Sequence, residues 1–447
     1  MSNGNEFKPA FLIKDFQAKQ YSDLEFESPE KMSQLQDKLL SDHIKETVRK
    51  SPYYRALFKQ HQLDGDSIQG ISDLKKLPCT SKEDISRNND DFVAASGEEI
   101  SDICLTSATT SEKPTAVYQS LSDLSRLAYN EEAAFNMIGI NPSDTVMVCA
   151  ALDRCFMAGL AYYMGGLKKG ATMVRAGSGS AAQQWQLIKR TQPTVLVGVP
   201  SLMRKIGDVA LESGEKPDRI GIKKLVAIGE PLRDGDLNLM PAYATLETLW
   251  KARLYSTYAS TEMATTFCEC EERQGGHLRP ELMVVEILDD DQKPVAAGDT
   301  GEVVVTPLGV TGMPLIRFQT GDISFLIEEA CRCGRTSPRL GPVLGRKNHM
   351  LKLKGTTVFP SSILSVLEGI EGVTHAYIEA GKKADGTDRV ISYVSVGAPS
   401  PSPEMMAETL RAHIRVVPEI KIISEEEATK KIFPREKRKK VTFFDLR

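Results

Sequence analysis

Between Asp144 and Pro231, four short runs rich in β-branched residues alternate with longer stretches of helical periodicity: TVMVCAAL from Thr145, TMVRAG from Thr172, TVLVGVP from Thr194 and KKLVAIGEP from Lys223. Short apolar runs bounded by glycine and proline suit strands buried on both faces. Successive strands separated by helices run parallel, because a parallel return needs a crossover long enough to hold a helix. The alternation predicts an α/β protein with parallel sheets covered by helices.

The flanking texture differs. From Glu30 to Phe58 the apolar positions Leu35, Leu39, Ile44 and Val48 and then SPYYRALF have helical spacing, and LPCTSKEDI closes a helical N-terminal segment spanning residues 1–90. After Glu262 the pattern becomes strand and hairpin: LMVVEIL, the polar turn DDDQKPVAAGDTGE, then VVVTPL from Val303. This predicts an antiparallel β region. A small α+β unit follows, with helix SSILSVLEGI, strands HAYIEA and RVISYVSV, helix PEMMAETLRAHI and a short strand near Ile420. It has the size of an independent domain of about 100 residues.

A net charge of -4 and a pI near 6.0 give no whole-chain attraction to nucleic acid or an anionic membrane. The apolar stretch Phe156 to Leu167 is glycine-rich and shorter than the roughly 20 residues of a spanning helix, so it reads as buried core. The N-terminus lacks a basic segment followed by an apolar run. The expectation is a soluble cytoplasmic protein with neither nucleic-acid nor membrane partners. The 8 cysteines then read as reduced thiols. Cys79, Cys104, Cys149 and Cys155 stand among apolar neighbours, as small hydrophobes do. Cys268-Glu269-Cys270, His277 and Cys331-Arg332-Cys333 instead form two clusters of the ligand types tetrahedral Zn²⁺ prefers, with five candidates for four positions.

Thr106 to Thr115, TSATTSEKPT, packs hydroxyls, a lysine and a proline after the apolar Ile103 to Leu105. Hydroxyl and backbone N–H donors of this kind can wrap phosphates, although a surface turn has the same composition. The stretch resembles the SSGTTGKPT loop of the adenylate-forming superfamily, and further motifs follow in that superfamily's order. SPYYRALF with DLKKLPCTSKEDI is similar to the N-terminus of phenylacetate-CoA ligases. Gly229-Glu230-Pro231 resembles their GAEP turn and Tyr258-Ala259-Ser260-Thr261-Glu262 their YGLSE. RFQTGD, ending at Asp322, resembles their YRTRD, GRKNHMLKLKGTTVFPSSI their hinge, and PREKRKKVTFFDLR their C-terminal lysine segment.

The resemblance implies a large AMP-binding domain, residues 1–344, and a small mobile lid domain, residues 345–447, that rotates about the hinge between two half-reactions. It implies ATP-dependent activation of a carboxylic acid as an acyl-adenylate, followed by thioester formation with CoA. Transfer to an acyl carrier protein or an amine, or nucleotide binding without catalysis, are the alternatives. Within the loop, Thr109, Thr110 and Lys113 hold the β- and γ-phosphates, with Ser107 in the same nucleotide site. Gly229, Glu230 and Pro231 border the adenine, Tyr258 lies against its face, and Thr261 reaches the α-phosphate. The resemblance further implies that Glu262 ligates Mg²⁺, that Asp322 receives the ribose hydroxyls, and that Arg346 joins them from the hinge. Lys437 reaches the carboxylate and α-phosphate during adenylation. Relatives carry C-x6-H and C-x-C-G-R, which maps a structural Zn²⁺ onto Cys270, His277, Cys331 and Cys333 and leaves Cys268 spare. Phe156, Met157, Tyr162 and Tyr163 fall where the acid pocket begins, or in core, and a homodimer is implied. The sequence departs from the pattern at Ala108, Ser111 and Glu112 in the phosphate loop and at His349 in the hinge.

Overall fold

The computed structural model describes residues 16–106, 115–353, 356–382, 388–414, 416–434 and 440–447. Its main sheet holds nine strands. Thr172–Arg175, Thr145–Val148, Val195–Gly198, Lys224–Ala227 and Arg253–Ser260 lie side by side and parallel. Beyond Arg253–Ser260 the sheet turns antiparallel through Thr265–Cys268, Gly276–His277, Arg339–Leu340 and Leu326–Ile327.

Both faces of the parallel part are buried, as the continuous apolar runs require. Leu196 and Leu225 meet Trp185, Ile188, Met203 and Ile206 of the helices Ala181–Thr191 and Pro200–Glu212 on one face. Val146, Val148, Val197 and Val226 meet Phe135 and Tyr162 of the helices Leu121–Met137 and Met157–Lys169 on the other. The glycine-rich stretch read as core is this last helix. Glycine is needed there for close packing: a Cβ on Gly165 would lie 2.2 Å from the Cβ of Glu131. Met157 and Tyr162 are buried, and Phe156 and Tyr163 are half-buried.

A second, antiparallel sheet runs Met283–Leu288, Gly301–Pro307, Phe318–Ser324, Gly345–Arg346. The N-terminal helices Pro29–Lys50 and Pro52–Gln60 cover it with Leu40, Ile44, Tyr54 and Phe58. The chain then enters the small unit, where Glu419–Ile423, Asp388–Val396, Val373–Lys382 and Phe443–Asp445 form a four-stranded sheet backed by the helices Pro360–Glu368 and Pro403–Ile414. Pro360–Glu368 rests on the large unit, where a Cβ on Gly369 would lie 2.6 Å from Pro241 Cβ. No helix among the described residues is long and apolar enough to cross a membrane.

One polar group is sealed between helix and sheet. Glu131 Oε1 accepts hydrogen bonds from Thr266 Oγ1 and from Asn130 Nδ2 (3.1 Å), while its Oε2 is buried with no partner among the described residues. Desolvation pushes its carboxyl up from 4.5 to about 7. Because the folded value lies above the unfolded one, ionisation costs stability, increasingly between pH 4.5 and about 7 and fully above that. Glu131→Gln is expected to be more stable than the parent by roughly 2–3 kcal/mol at pH 8. The difference should fade toward pH 4.5, as read by urea unfolding at several pH values.

Candidate active site

The strand Arg253–Ser260 ends at the carboxyl edge of the parallel sheet, where α/β folds place ligands. Its chain reverses at once: Met263 N donates to Ser260 Oγ (3.2 Å) and Ala264 N to Ser260 O (3.2 Å), with Ala264 at φ +47°. Thr261 and Glu262 are thus fixed on a tight turn. The Glu262 side chain is 7 % exposed and pairs with Lys82 Nζ at 3.2 Å. Lys82 opens the helix Lys82–Arg87, whose capping box joins Ser81 and Asp84. Sequence reasoning passed over Lys82 because TSKEDI signals only a helix start.

Tyr258 packs against Phe267, ring centroids 5.8 Å apart, and its hydroxyl donates to Asp322 Oδ2 (2.8 Å). Asp322 lies in the antiparallel sheet, directly across from Arg346, whose Nε is 3.4 Å from Oδ1. Burial pushes the Asp322 carboxyl above its usual value against the opposing pull of Arg346. Three residues predicted separately for one nucleotide site therefore form one connected chain.

The turn after the strand Lys224–Ala227 adds a further wall. Gly229 adopts φ +71°, which a side chain resists. Glu230 accepts from Ser201 N (3.0 Å), Ser201 Oγ (2.5 Å) and Tyr243 OH (3.1 Å). Pro231 is half-buried beside it. Two residues on, Arg233 forms a buried two-point pair with Glu269, Nη2 to Oε2 being 3.1 Å, and Glu269 also accepts from Ser256 N (2.8 Å). This pair ties the turn to the strand that carries Tyr258.

Ser107, Thr109, Thr110 and Lys113 lie outside the described residues, as does Lys437. Their anchors are described. The strands Ile100–Leu105 and Ala116–Ser120 pair antiparallel, and Thr106 N donates to Thr115 O (2.9 Å), so the two residues that flank the loop are held together. Asn89 Nδ2 bonds Ala116 O (2.8 Å), linking that hairpin to the helical segment that bears Lys82. At the other end, Lys440 Nζ lies 3.5 Å from Glu368, a carboxylate in the electrostatic reach of Glu230. Lys440 thus stands in the small unit beside the Glu230 turn.

Cys270, His277, Cys331 and Cys333 converge, with one ligand atom from each lying within 4.8 Å of all the others. Cys270 Sγ to Cys331 Sγ is 3.7 Å and Cys333 Sγ to His277 Nε2 is 3.5 Å. A tetrahedral ion with bonds of about 2.3 Å to sulfur and about 2.05 Å to nitrogen sets edges of about 3.8 Å and 3.5 Å. A disulfide instead requires about 2.05 Å. The cluster has the dimensions of a four-ligand metal centre. Cys268 donates to Glu269 O (3.3 Å) and stands outside it. Among the scattered thiols, Cys104 and Cys149 are buried as expected, but Cys79 is only partly so and Cys155 is exposed. Arg154 and Cys155 take φ +57° and +56°, a left-handed turn that directs the chain into solvent before the next helix.

The model of the family described as AMP-binding enzyme matches residues 25–313, and the chain belongs to that family, among its phenylacetate-CoA ligase-like members. It is 29% identical over 377 residues to the phenylacetate-coenzyme A ligase of Thermus thermophilus, covering 83% of this chain and 82% of that one. Identity to the phenylacetate-coenzyme A ligase of Escherichia coli K12 is 28% over 375 residues, covering 80% and 82%. Among solved structures, 2-hydroxyisobutyryl-CoA ligase in the postadenylation state with 2-HIB-AMP matches at a TM-score of 0.83 and 21% identity, covering 100% of this chain and 95% of that one. The same enzyme in the thioesterification state matches at 0.70 and 22% identity, covering 95% and 91%. The fold is therefore that of an adenylate-forming ligase.

Glu269→Ala leaves Arg233 buried without a charge partner and Ser256 N without an acceptor. It should cost roughly 3–5 kcal/mol in urea unfolding. The double replacement Arg233→Met with Glu269→Met should cost much less, because no buried charge is left behind.

Proposed function

We propose that this chain is an AMP-forming acid-thiol ligase that activates a carboxylic acid with ATP and passes the acyl group to CoA. The observation that carries the reading is the gathering of Thr261, Glu262, Tyr258, Asp322, Arg346 and Glu230 at one edge of the parallel sheet. In the first half-reaction a substrate carboxylate oxygen bonds to the α-phosphorus and pyrophosphate departs with the broken P–O bond. In the second, the CoA sulfur bonds to the acyl carbon, AMP leaves with the carboxyl oxygen, and the thiol proton passes to solvent.

Each residue has a physical task in this reading. Asp322, aligned by Tyr258 and Arg346, accepts the ribose hydroxyls. The Glu230 turn borders the base, with Tyr258 against its face, and Thr261 donates to the α-phosphate. Ser107, Thr109, Thr110 and Lys113 stabilise charge on the departing pyrophosphate, and Lys437 stabilises the pentavalent phosphorus. Glu262 fits Mg²⁺, which needs one or two carboxylates and completes its shell with phosphate oxygens and water. When bound, that ion neutralises developing phosphate charge. In its absence Lys82 neutralises Glu262. The four-ligand cluster fits a structural Zn²⁺ that clasps the strand Gly276–His277 to the Cys331 loop. CoA is a better-supported acceptor than a carrier protein, because the curated relatives named above are CoA ligases over most of the chain. Homodimer formation and a cytoplasmic location complete the reading.

Pyrophosphate exchange into ATP with a panel of aryl and short hydroxy acids should detect adenylation, and thioester formation should follow with CoA but not with carrier protein. Lys437→Ala should lower exchange at least about 100-fold with unchanged unfolding midpoint. Absence of exchange with every acid sinks the proposal. The purified protein should hold close to one zinc per chain, and Cys333→Ser should lose both metal and several degrees of Tm. Less than a tenth of an equivalent, with indifference to chelator, rules the metal out.

A further inference from the structure

Arg126 lies on the helix Leu121–Met137 and is fully buried. Its Nε donates to Leu308 O (2.7 Å), Nη1 to Ala264 O (2.5 Å), and Nη2 to Leu282 O (2.6 Å) and Thr265 Oγ1 (2.9 Å). Asp123 and Glu281 compensate its charge through space. Burying a guanidinium is costly, and this one gives three of its bonds to main-chain carbonyls. Such bonds fix backbone, since a carbonyl has no rotamer to escape to.

The three carbonyls belong to three separate segments. Leu282 immediately precedes the strand Met283–Leu288 and Leu308 follows the strand Gly301–Pro307, and the two are already joined by Leu308 N to Leu282 O at 2.7 Å. Ala264 closes the turn that bears Thr261 and Glu262. Its φ of +47° is strained for alanine and persists only where the surroundings over-determine it. Ser260 holds that turn from the strand side, and Arg126 holds its far end against the antiparallel sheet.

We propose that Arg126 is a positioning residue for adenylation: its hold on the Ala264 carbonyl keeps the turn Ser260–Ala264 seated, and with it the Glu262 carboxylate aimed at the magnesium-bound nucleotide. The proposal rests on the reading of Glu262 given above. Arg126 touches no reacting atom and acts through the turn.

Arg126→Met should raise the Mg²⁺ concentration for half-maximal pyrophosphate exchange about tenfold, leaving KM for the acid within about twofold. Arg126→Lys, which keeps the charge and reaches one or two of the carbonyls, should recover part of that loss. Hydrogen exchange supplies a readout independent of catalysis: the amides of Met263 and Ala264 should exchange at least about tenfold faster in Arg126→Met, with those of Val195–Gly198 unchanged. If Arg126→Met does not fold, Arg126→Lys alone decides, with an expected shift of about threefold in Mg²⁺ dependence. Native Mg²⁺ dependence together with native exchange of the turn overturns the proposal. If the parent chain performs no pyrophosphate exchange, the function proposed above fails, and hydrogen exchange of the turn then decides the role of Arg126 by itself.

Discussion

The hydroxyl of Tyr258, donated to Asp322, links the main sheet to the antiparallel sheet at the site. Tyr258 belongs to the last parallel strand. Asp322 belongs to the antiparallel sheet, and its cross-strand partner Arg346 stands where the chain enters the small unit. The same three residues therefore join the main sheet to the antiparallel sheet where the chain enters the small unit. Burial holds that carboxyl above its usual value while a phenol and a guanidinium bracket it.

Charge in this region comes as separated pairs. Lys82 covers Glu262, Arg346 covers Asp322 and Lys440 covers Glu368. The first pair is largely sealed from solvent, so the two charges are mutually dependent: removing one strands the other in a poorly solvated place.

Much of this was legible in the chain because local rules and the global fold agree. The β-branched runs are strands buried on both faces, and the glycine-rich stretch is a helix whose glycines admit its neighbour. Gly229-Glu230-Pro231 and Thr261-Glu262 fall just past the ends of the strands Lys224–Ala227 and Arg253–Ser260. Other features needed three dimensions. Leu326–Ile327 and Arg339–Leu340 return to the edge of the main sheet from beyond the second sheet, which no run of residues announces. Lys82 was hidden in a capping signal and Arg126 in an amphipathic helix, where arginine ordinarily faces water. Telling Cys270 from Cys268 required Sγ positions, because residues two apart in an extended chain share a face and spacing alone does not separate them. Cys155, expected among apolar neighbours, is exposed by two successive left-handed residues.

The central claim is that these groups surround one acyl-adenylate. Titration calorimetry of the intact protein with a non-hydrolysable acyl-sulfamoyl adenosine, Mg²⁺ present, tests it without depending on turnover. The account predicts one site per chain with submicromolar affinity, weakened at least about 30-fold by Asp322→Ala, equivalent to about 2 kcal/mol. No heat of binding for acyl-sulfamoyl adenosines with aryl, hydroxy and short aliphatic acyl groups, or equal affinity in the Asp322→Ala protein, would contradict it.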